Sequence, residues 1–262
     1  MRPNKRLGQH FLADVNILGR IADALDPEPG ETVIEVGPGH GSLTELLLAR
    51  GVRVIAIEKD RGLAEQLRAR YVVRGASVDV VDADALSVDW QSLLPRTTHH
   101  APRTFKVVGN IPYNITSPLL EKALTPPLPE RIVFLVQLEV ARRLAAAPGS
   151  KTYGGLSIGV QAQCNVEELF TVLPGSFRPP PKVKSALVRL TPLAEPLVRP
   201  EEAPALRTFV TACFSRRRKQ LHNAVPGATA AGLTALGFDP KARPETLAPA
   251  DFVRLLRWSQ QL

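Results

Sequence analysis

Hydrophobic residues in the first half of the chain fall into short runs rich in Val and Ile, separated by amphipathic stretches. Short continuous apolar runs are typical of buried strands, and apolar positions three or four residues apart are typical of helices. Strands are predicted at 32–36, 52–58, 78–81, 105–108 and 132–138, and helices near 14–25, 41–50, 60–70, 116–124 and 139–147. Because the two alternate, the sequence predicts an α/β fold with a doubly wound, mostly parallel sheet and helices on both faces.

The later part of the chain departs from this alternation. Residues 168–172 and 183–190 have the pattern of strands without a long helix between them, which predicts an antiparallel hairpin at one sheet edge. A proline-rich stretch at 191–204 follows, and beyond it only helices are predicted, at 205–224, 228–236 and 249–262. We therefore expect an α/β domain of residues 1–190 and a small all-helical domain of residues 191–262.

Composition narrows the class of protein. No apolar run approaches the length of a membrane-spanning helix, and the basic N-terminus leads into no long apolar segment. We expect a cytoplasmic protein that does not bind membranes. Cys164 and Cys213 lie far apart in apolar surroundings and show no metal-ligand spacing. They are expected to be buried, reduced thiols, and no metal is expected.

Positive charge is concentrated at three places in the chain. The net charge is +8 and the sequence pI is near 9.9, a balance that favours a polyanionic partner. The clusters are Arg2, Lys5 and Arg6; Arg178, Lys182, Lys184 and Arg189; and the consecutive Arg216, Arg217, Arg218 and Lys219.

The first predicted strand runs into the sequence GPGHG at 37–41, and a helix follows at once. Glycines at alternate positions let the backbone turn sharply and approach a ligand, and Glu58 ends the next strand, where a carboxylate can accept both hydroxyls of a ribose. The spacing G-x-G-x-G differs from the G-x-G-x-x-G of dinucleotide folds, and Glu35 beside it would repel a pyrophosphate. An acid there suits a ligand with a cationic amine and sulfonium, so the loop favours S-adenosylmethionine over NAD. Asp84, after the third strand, can bind the adenine amino group or, alternatively, cap a helix.

The fourth predicted strand ends in Asn110, Ile111, Pro112 and Tyr113. The lone pair of an adenine N6 is delocalised into the ring, so this amine is a poor nucleophile. The side-chain oxygen of Asn110 and a nearby backbone carbonyl can accept its two N–H bonds and stabilise the charge that develops on it. Pro112 makes the turn rigid, and Tyr113 can stack on a base that has left its helix. The alternative is a polar turn with a half-buried tyrosine.

Ordered short motifs recur along almost the whole chain. They are KRLGQHFL at 5–12, EVGPGHG at 35–41, DAL at 84–86, NIPYN at 110–114, PGSKTYG at 148–154, FRPPPKV at 177–183 and FSRRRKQL at 214–221. In this order they resemble the KsgA/RsmA-type ribosomal RNA adenine dimethyltransferases, a Rossmann-like class I methyltransferase family.

The resemblance implies roles for individual residues. Phe177, otherwise interpreted as a core aromatic, would help Tyr113 to hold the target base. Among the basic residues we expect Arg217, Arg218 and Lys182 to contact RNA, with a solvated surface as the alternative. The residues implied to contact S-adenosylmethionine are His10, Leu12, Gly37, Gly39, Glu58, Asp84 and Asn110, and His10 stands where the family often has Asn.

The resemblance also implies the reaction. Two adjacent adenosines near the 3′ end of the small-subunit (16S) rRNA would each become N6,N6-dimethyladenosine, at the expense of four S-adenosylmethionine molecules. The enzyme would take part in small-subunit maturation, with the small ribosomal subunit as its partner, and it is expected to be a monomer.

Three other functions fit part of the sequence. A methyltransferase that modifies one adenosine of large-subunit rRNA shares the glycine loop and the Asn-Ile-Pro-Tyr turn, but the triple proline at 179–181 and the segment 214–221 fit it less well. An NAD-dependent oxidoreductase is disfavoured by the loop spacing. A non-catalytic RNA-binding assembly factor is disfavoured by the presence of Glu58, Asn110 and Tyr113.

Overall fold

The computed structural model describes residues 8–72, 76–95 and 104–261. Arg2, Lys5 and Arg6, and with them the first three residues of the N-terminal motif, lie outside the described residues. The chain divides into two compact units, the first within residues 1–141 and 167–191 and the second within 142–166 and 192–262. The sequence places the domain boundary after residue 190 and assigns 142–166 to the α/β domain, whereas the structure groups 142–166 with the helical unit.

A seven-stranded sheet forms the centre of the first unit. Its strands are β2 (Thr32–Val36), β3 (Arg53–Glu58), β4 (Val78–Asp82), β5 (Phe105–Asn110), β6 (Arg131–Gln137), β7 (Cys164–Val172) and β9 (Ser185–Pro192). They lie in the order β4-β3-β2-β5-β6-β9-β7. Neighbours from β4 to β6 run parallel, β9 runs antiparallel to β6, and β7 lies beside β9 at the sheet edge, where the hairpin is predicted.

The central strands are buried on both sides. Val33 and Ile34, which point to opposite faces of β2, are both fully buried. Leu18 and Ile21 from one helix and Leu47 from another belong to the core cluster that covers the face of Val33. The helices of this part of the chain are α1 (Val15–Leu25), α2 (Ser42–Leu48), α3 (Arg61–Val72), α4 (Trp90–Leu93), α5 (Thr116–Ala123) and α6 (Leu138–Leu144).

A separate two-stranded pair lies outside the predicted pattern. β1 (Phe11–Leu12) pairs antiparallel with β8 (Phe177–Arg178), with Phe11 opposite Arg178 and Leu12 opposite Phe177. Each of these strands has only two residues, which is too short for the alternation of apolar and polar positions that identifies a strand in a sequence. The pairing brings the N-terminal motif beside the proline motif at 177–183.

The second unit contains helices and has its own hydrophobic core. Tyr153 and Ile158 from the segment 142–166 are buried in that core together with Phe252, which explains why the segment belongs to this unit. Its helices are α7 (Gly155–Gln161), α8 (Ala203–Ser215), α9 (Leu221–Ala224), α10 (Ala230–Ala235) and α11 (Pro249–Ser259). Across residues 8–72, 76–95 and 104–261, no helix has both the length and the apolar character needed to cross a bilayer.

The predicted helix at 205–224 is interrupted. α8 ends at Ser215, and a succession of turns at 216–219 separates it from α9. The prediction that the four consecutive cations lie on a helix is therefore wrong. In this non-helical segment, the side chain of Arg217 donates hydrogen bonds to groups distant in sequence. They are the carboxylate of Glu245 and the carbonyl oxygens of Ser150 and Lys151.

Candidate functional site

A pocket opens at the carboxyl ends of β2, β3, β4 and β5 in the first unit. Parallel strands bring these ends to one edge of the sheet, which is where open α/β folds bind ligands. The empty volume is about 960 Å³, counting the part open to solvent. Its wall comes from segments 8–11, 57–59, 83–85 and 110–115, together with Val36, Gly37 and Gly39.

The glycine loop lies against the floor of this pocket. Gly39 has a φ of +57°, in the left-handed region that favours glycine, and its N–H donates to Glu58 Oε2 over 3.0 Å. A Cβ atom at this position would lie 2.9 Å from the ring of Phe11. Residue 39 must therefore be glycine both for its backbone angle and for the close approach of Phe11.

Glu58 is held by backbone donors on both carboxylate oxygens. Oε2 accepts from Gly39, and Oε1 accepts from the N–H of Asp60 over 2.8 Å. The side chain is buried, and burial raises the pKa of Glu58 above its ordinary value, against the opposing effect of these hydrogen bonds. Each oxygen keeps a second lone pair, so the carboxylate can accept two hydroxyl groups from a ligand.

Asp84 is fixed by two partners. Oδ2 accepts from Lys59 Nζ over 2.7 Å, and Oδ1 accepts from the N–H of Leu86 over 2.9 Å. The hydrogen bond from Lys59 is the main reason that the pKa of Asp84 lies below its ordinary value. Asp84 therefore closes a local turn and does not cap a helix, since the next helix begins at Trp90 with Asp89 as its N-cap. As an ionised carboxylate in the pocket wall it keeps lone pairs for a ligand.

The turn after β5 carries several polar groups of the pocket wall. Asn110 Nδ2 donates to the carbonyl oxygen of His10 over 2.8 Å, and this bond fixes the amide orientation. The carbonyl oxygen of Pro112 accepts from the N–H of Ile115, and the hydroxyl of Tyr113 is hydrogen bonded to that of Ser185 over 2.9 Å. Within the described ranges, Asn110 Oδ1 and the carbonyl oxygen of Ile111 receive no hydrogen bond.

Gly109 explains how the turn fits beside the glycine loop. It lies opposite Val36 in the parallel pair of β2 and β5, and a Cβ atom here would lie 2.6 Å from the Val36 carbonyl oxygen. Glycine therefore allows the two strand ends to approach closely enough to share one pocket. Gly109 directly precedes Asn110 in the sequence, so its position is a usable signal for this close approach.

Two sequence-predicted site residues lie elsewhere. Leu12 and Phe177 are opposite each other in the β1–β8 pair, belong to the core cluster and are absent from the wall of this pocket, although Leu12 lines the cavity that adjoins it. Phe177 is only 1% exposed. His10, Gly37, Gly39, Glu58, Asp84, Asn110, Ile111, Pro112 and Tyr113 all line the pocket.

Lys59 and Ser185 contribute to the site without having been predicted. Lys59 holds the Asp84 carboxylate, and Ser185 holds the Tyr113 hydroxyl. Lys59 follows Glu58 at the end of a predicted strand, so its position was a usable signal. Ser185 reaches Tyr113 only because β9 inserts beside β6, which no local pattern shows.

A second cavity adjoins the pocket and contains a buried acid. It shares Phe11, Gly37 and Asn110 with the pocket, and Glu35 is in its wall. Glu35 Oε2 accepts a hydrogen bond from Thr44 Oγ1 over 2.6 Å. Burial, with a smaller contribution from the charge of Glu58, raises the pKa of Glu35 to about 7.

The free energy of unfolding is expected to fall between about pH 4.5 and pH 7 because of Glu35. In this window the folded carboxyl keeps its proton while the unfolded carboxyl, with a pKa of 4.5, has lost it, so raising the pH favours unfolding. The difference amounts to about 3 kcal/mol. Urea titrations of Glu35→Gln should therefore show a variant more stable than the parent at pH 8 by up to this amount, and similar to it at pH 4.5.

Glu168→Gln is the matched control, since Glu168 is exposed. It should leave the pH dependence of the parent chain unchanged. If the free energy of unfolding falls with pH as steeply in Glu35→Gln as in Glu168→Gln, a group other than Glu35 causes the pH dependence.

The basic cluster at 216–219 divides into residues with different environments. Arg217 is ion paired with Glu245 and donates to the carbonyl oxygens of Lys151 (3.0 Å) and Ser150 (3.2 Å). Arg218 is exposed, as is Lys182 in the first unit, and neither has a hydrogen bond or ion pair within the described part of the chain. The geometry gives Arg217 a structural role and leaves the other two side chains available to a partner.

Comparison with known families gives a full-length match. The model of the family described as ribosomal RNA adenine dimethylase matches residues 1–261. A ribosomal RNA small subunit methyltransferase A from Nitrosococcus oceani is 44% identical over 259 residues, 98% of this chain and 96% of that protein. A protein of the same name from Pseudomonas aeruginosa is 43% identical over 256 residues, 97% of this chain and 93% of that protein.

Solved structures agree with the sequence relatives. A dimethyladenosine transferase from Plasmodium falciparum superimposes with a TM-score of 0.79 at 28% identity, covering 96% of this chain and 98% of that one. The 23S rRNA methyltransferase ErmE superimposes with a TM-score of 0.68 at 29% identity, covering 94% and 98%. The predicted Rossmann-like methyltransferase fold is thereby confirmed.

Proposed function

This chain belongs to the ribosomal RNA adenine dimethylase family, and from that membership we propose that it transfers methyl groups from S-adenosylmethionine to N6 of adenosines in small-subunit rRNA. The proposed products are two adjacent N6,N6-dimethyladenosines near the 3′ end of 16S rRNA, formed during maturation of the small ribosomal subunit. The observation that carries the proposal is the orientation of Asn110. Its Nδ2 is held by His10, and its Oδ1 is left to accept from a substrate.

The pocket has the chemistry that S-adenosylmethionine requires. The second lone pairs of the Glu58 oxygens suit the two ribose hydroxyls, and the Asp84 carboxylate suits the amino group of the cofactor's adenine. When bound, the cofactor supplies a methyl group already activated by a sulfonium. Glu58 and Asp84 in the pocket wall suit this cationic ligand and would oppose a pyrophosphate.

The acceptor atoms suit an adenine N6 in both of its methylation steps. Asn110 Oδ1 and the Ile111 carbonyl oxygen can each accept one N–H of the unmodified amine, which draws the nitrogen lone pair out of the ring and stabilises the positive charge formed during transfer. A neutral amide is too weak a base to keep the proton released afterwards, so that proton passes to water. Monomethyladenine retains one N–H for these oxygens, whereas dimethyladenine has none, and this loss favours release of the finished base.

The basic side chains supply the proposed RNA contacts. Lys182 and Arg218 are exposed and unpaired within the described residues, as groups that neutralise phosphates are expected to be. Arg217, by contrast, holds the loop at 150–151 through its two carbonyl bonds and its ion pair. We therefore assign RNA contacts to Lys182 and Arg218 and a supporting role to Arg217.

Replacing Arg217 and replacing Arg218 are expected to affect different properties, the first the stability of the protein and the second its binding to RNA. Arg217→Ala removes hydrogen bonds to a partly buried carboxylate and should lower the free energy of unfolding by about 1–3 kcal/mol. Arg218→Ala should change it by no more than about 0.5 kcal/mol. It should instead weaken binding to small subunits and reduce the slope of log K against log salt by about 1.

Chemical denaturation and filter binding at several salt concentrations measure these two effects. Loss of stability in Arg218→Ala, or an unchanged salt slope, would remove Arg218 from the RNA contacts.

The proposed substrate is tested by supplying tritiated S-adenosylmethionine with undermethylated small subunits and, in parallel, with large subunits. Tritium in the RNA of the small subunit alone is expected. Tritium in large-subunit RNA would favour the activity named for ErmE, and absence of transfer to both would leave an RNA-binding factor.

A further inference from the structure

The hydroxyl of Tyr113 reaches from the turn after β5 to a strand that lies two places away in the sheet. Its oxygen is 2.9 Å from Ser185 Oγ, in β9. Ser185 is only 1% exposed, whereas Tyr113 is half-buried and lines the pocket. The tyrosine side chain therefore connects the pocket wall to a point inside the sheet.

The position of Ser185 is fixed by the strands around it. Ser185 is the first residue of β9 and lies opposite Gln137, the last residue of β6. The N–H of Leu138 donates to the carbonyl oxygen of Lys184 over 3.0 Å, so hydrogen bonding between the two segments continues beyond this pair. β9 also has β7 on its other side. A hydroxyl on such a strand is a more precise anchor than one on a loop.

Tyr113 itself belongs to a short turn. It is the first residue of the 3-10 helix Tyr113–Ile115, a conformation with poorer hydrogen-bond geometry than an α-helix. Changing χ1 to another staggered rotamer would carry the hydroxyl away from Ser185 and break the bond. Rotation about χ2 leaves the hydroxyl in place, so the bond sets the direction of the ring axis and packing sets the tilt of the ring.

The same bond engages the phenolic proton. A phenol is more acidic than an alcohol, so Tyr113 is the better donor and Ser185 the better acceptor. Burial raises the pKa of Tyr113 above its ordinary value, against the opposing effect of the Ser185 bond. The phenol is therefore neutral near pH 7, and its proton is directed to Ser185. The ring can stack on a base while the amino group is left to Asn110 Oδ1 and the Ile111 carbonyl oxygen.

We propose that Ser185 is a positioning residue, which holds the Tyr113 ring in the direction that receives the target adenine and keeps the phenolic hydroxyl out of the chemistry. The inference rests on the proposed function and adds to it a buried residue of β9 that acts on the base only through Tyr113. Methyl transfer requires the adenine N6 to be aligned with the methyl group, so a small displacement of the stacked base lowers the rate.

Two substitutions remove this bond from opposite ends. Ser185→Ala removes the acceptor, and Tyr113→Phe removes the donor but keeps the ring. Each should lower kcat/KM for undermethylated small subunits by about three- to tenfold, as expected for one hydrogen bond between neutral groups. The double variant should be within about twofold of the weaker single variant, because the bond is already lost. The Kd for S-adenosylmethionine, measured by calorimetry without RNA, should stay within about twofold in all of them.

Two further variants define the role of the hydroxyl. Ser185→Cys is close to serine in volume and hydrogen bonds weakly, so its kcat/KM should lie between those of the parent and Ser185→Ala. Thr191→Val is the matched control, since it removes a hydroxyl from the opposite end of the same strand. Its kcat/KM should equal that of the parent.

Three results would overturn the positioning role. Losses that multiply in the double variant would show that the two hydroxyls act independently. A loss of about 10²-fold or more in Tyr113→Phe alone would place the phenol in the chemical step. Activity equal to the parent in both single variants would show that the bond does not direct the ring. Failure of the parent protein to methylate any subunit would instead overturn the proposed function, so the two failures are distinguishable.

Discussion

Asn110→Ala is expected to lower kcat by about 10²-fold or more while leaving the Kd for S-adenosylmethionine within about threefold. The variant removes one of two oriented acceptors for the amino group, and loss of one preoriented hydrogen-bonding group around a developing charge has effects of this size. Asn110 Nδ2 is held by the His10 carbonyl, so the free Oδ1 has a defined direction before substrate binds. Single-turnover methylation of undermethylated small subunits measures the step directly.

Asn114→Ala is the matched control for this substitution. Asn114 also lines the pocket, but its side-chain oxygen is near Gly8, since a Cβ atom at Gly8 would lie 3.7 Å from it. It should reduce kcat much less than Asn110→Ala. Near-normal turnover of Asn110→Ala would exclude its amide from the chemical step.

Glu58→Ala is expected to raise the Kd for S-adenosylmethionine by about 10²-fold. The carboxylate would bind two ribose hydroxyls, and hydrogen bonds to a charged group contribute about 1.5–3 kcal/mol each. The substitution also leaves the N–H of Gly39 without its partner, so the glycine loop loses a support. Titration calorimetry without RNA measures this affinity.

Two further variants define the origin of the effect. Glu58→Gln retains the shape and one acceptor oxygen, so its affinity should lie between that of the parent and that of Glu58→Ala. Glu65→Gln, on the exposed side of α3, should bind the cofactor as the parent does. An unchanged affinity in Glu58→Ala would remove the carboxylate from the cofactor site.

The central sheet was predictable because its strands are buried on both faces. Residues 32–36 form β2 with the predicted bounds, and the other predicted strands differ from the observed ones by a few residues. Parallel strands also place Glu58, Asp84 and Asn110 at one edge, so the composition of the pocket followed from the positions of strand ends. The strands were predictable from local apolar runs, and the location of the pocket was predictable because open α/β sheets bind ligands at the carboxyl ends of their parallel strands.

Contacts between distant segments could not be predicted in the same way. The β1–β8 pair places Leu12 and Phe177 opposite each other in the core cluster, and it also brings Leu12 to the cavity that adjoins the pocket. Arg217 is 28 residues from Glu245, and only the folded second unit makes them an ion pair. The different environments of Arg217, which is partly buried and ion paired, and Arg218, which is exposed, likewise depend on tertiary packing.

Mass spectrometry of the 3′ fragment of 16S rRNA, after reaction of the parent protein with undermethylated small subunits, tests the proposed reaction most directly. The proposed chemistry predicts two adjacent residues that each gain two methyl groups and yield N6,N6-dimethyladenosine on nuclease digestion. A single methyl group per adenosine as the end product, methylation of another base, or an unmodified fragment would show that the Asn110 site does not carry out adenine dimethylation.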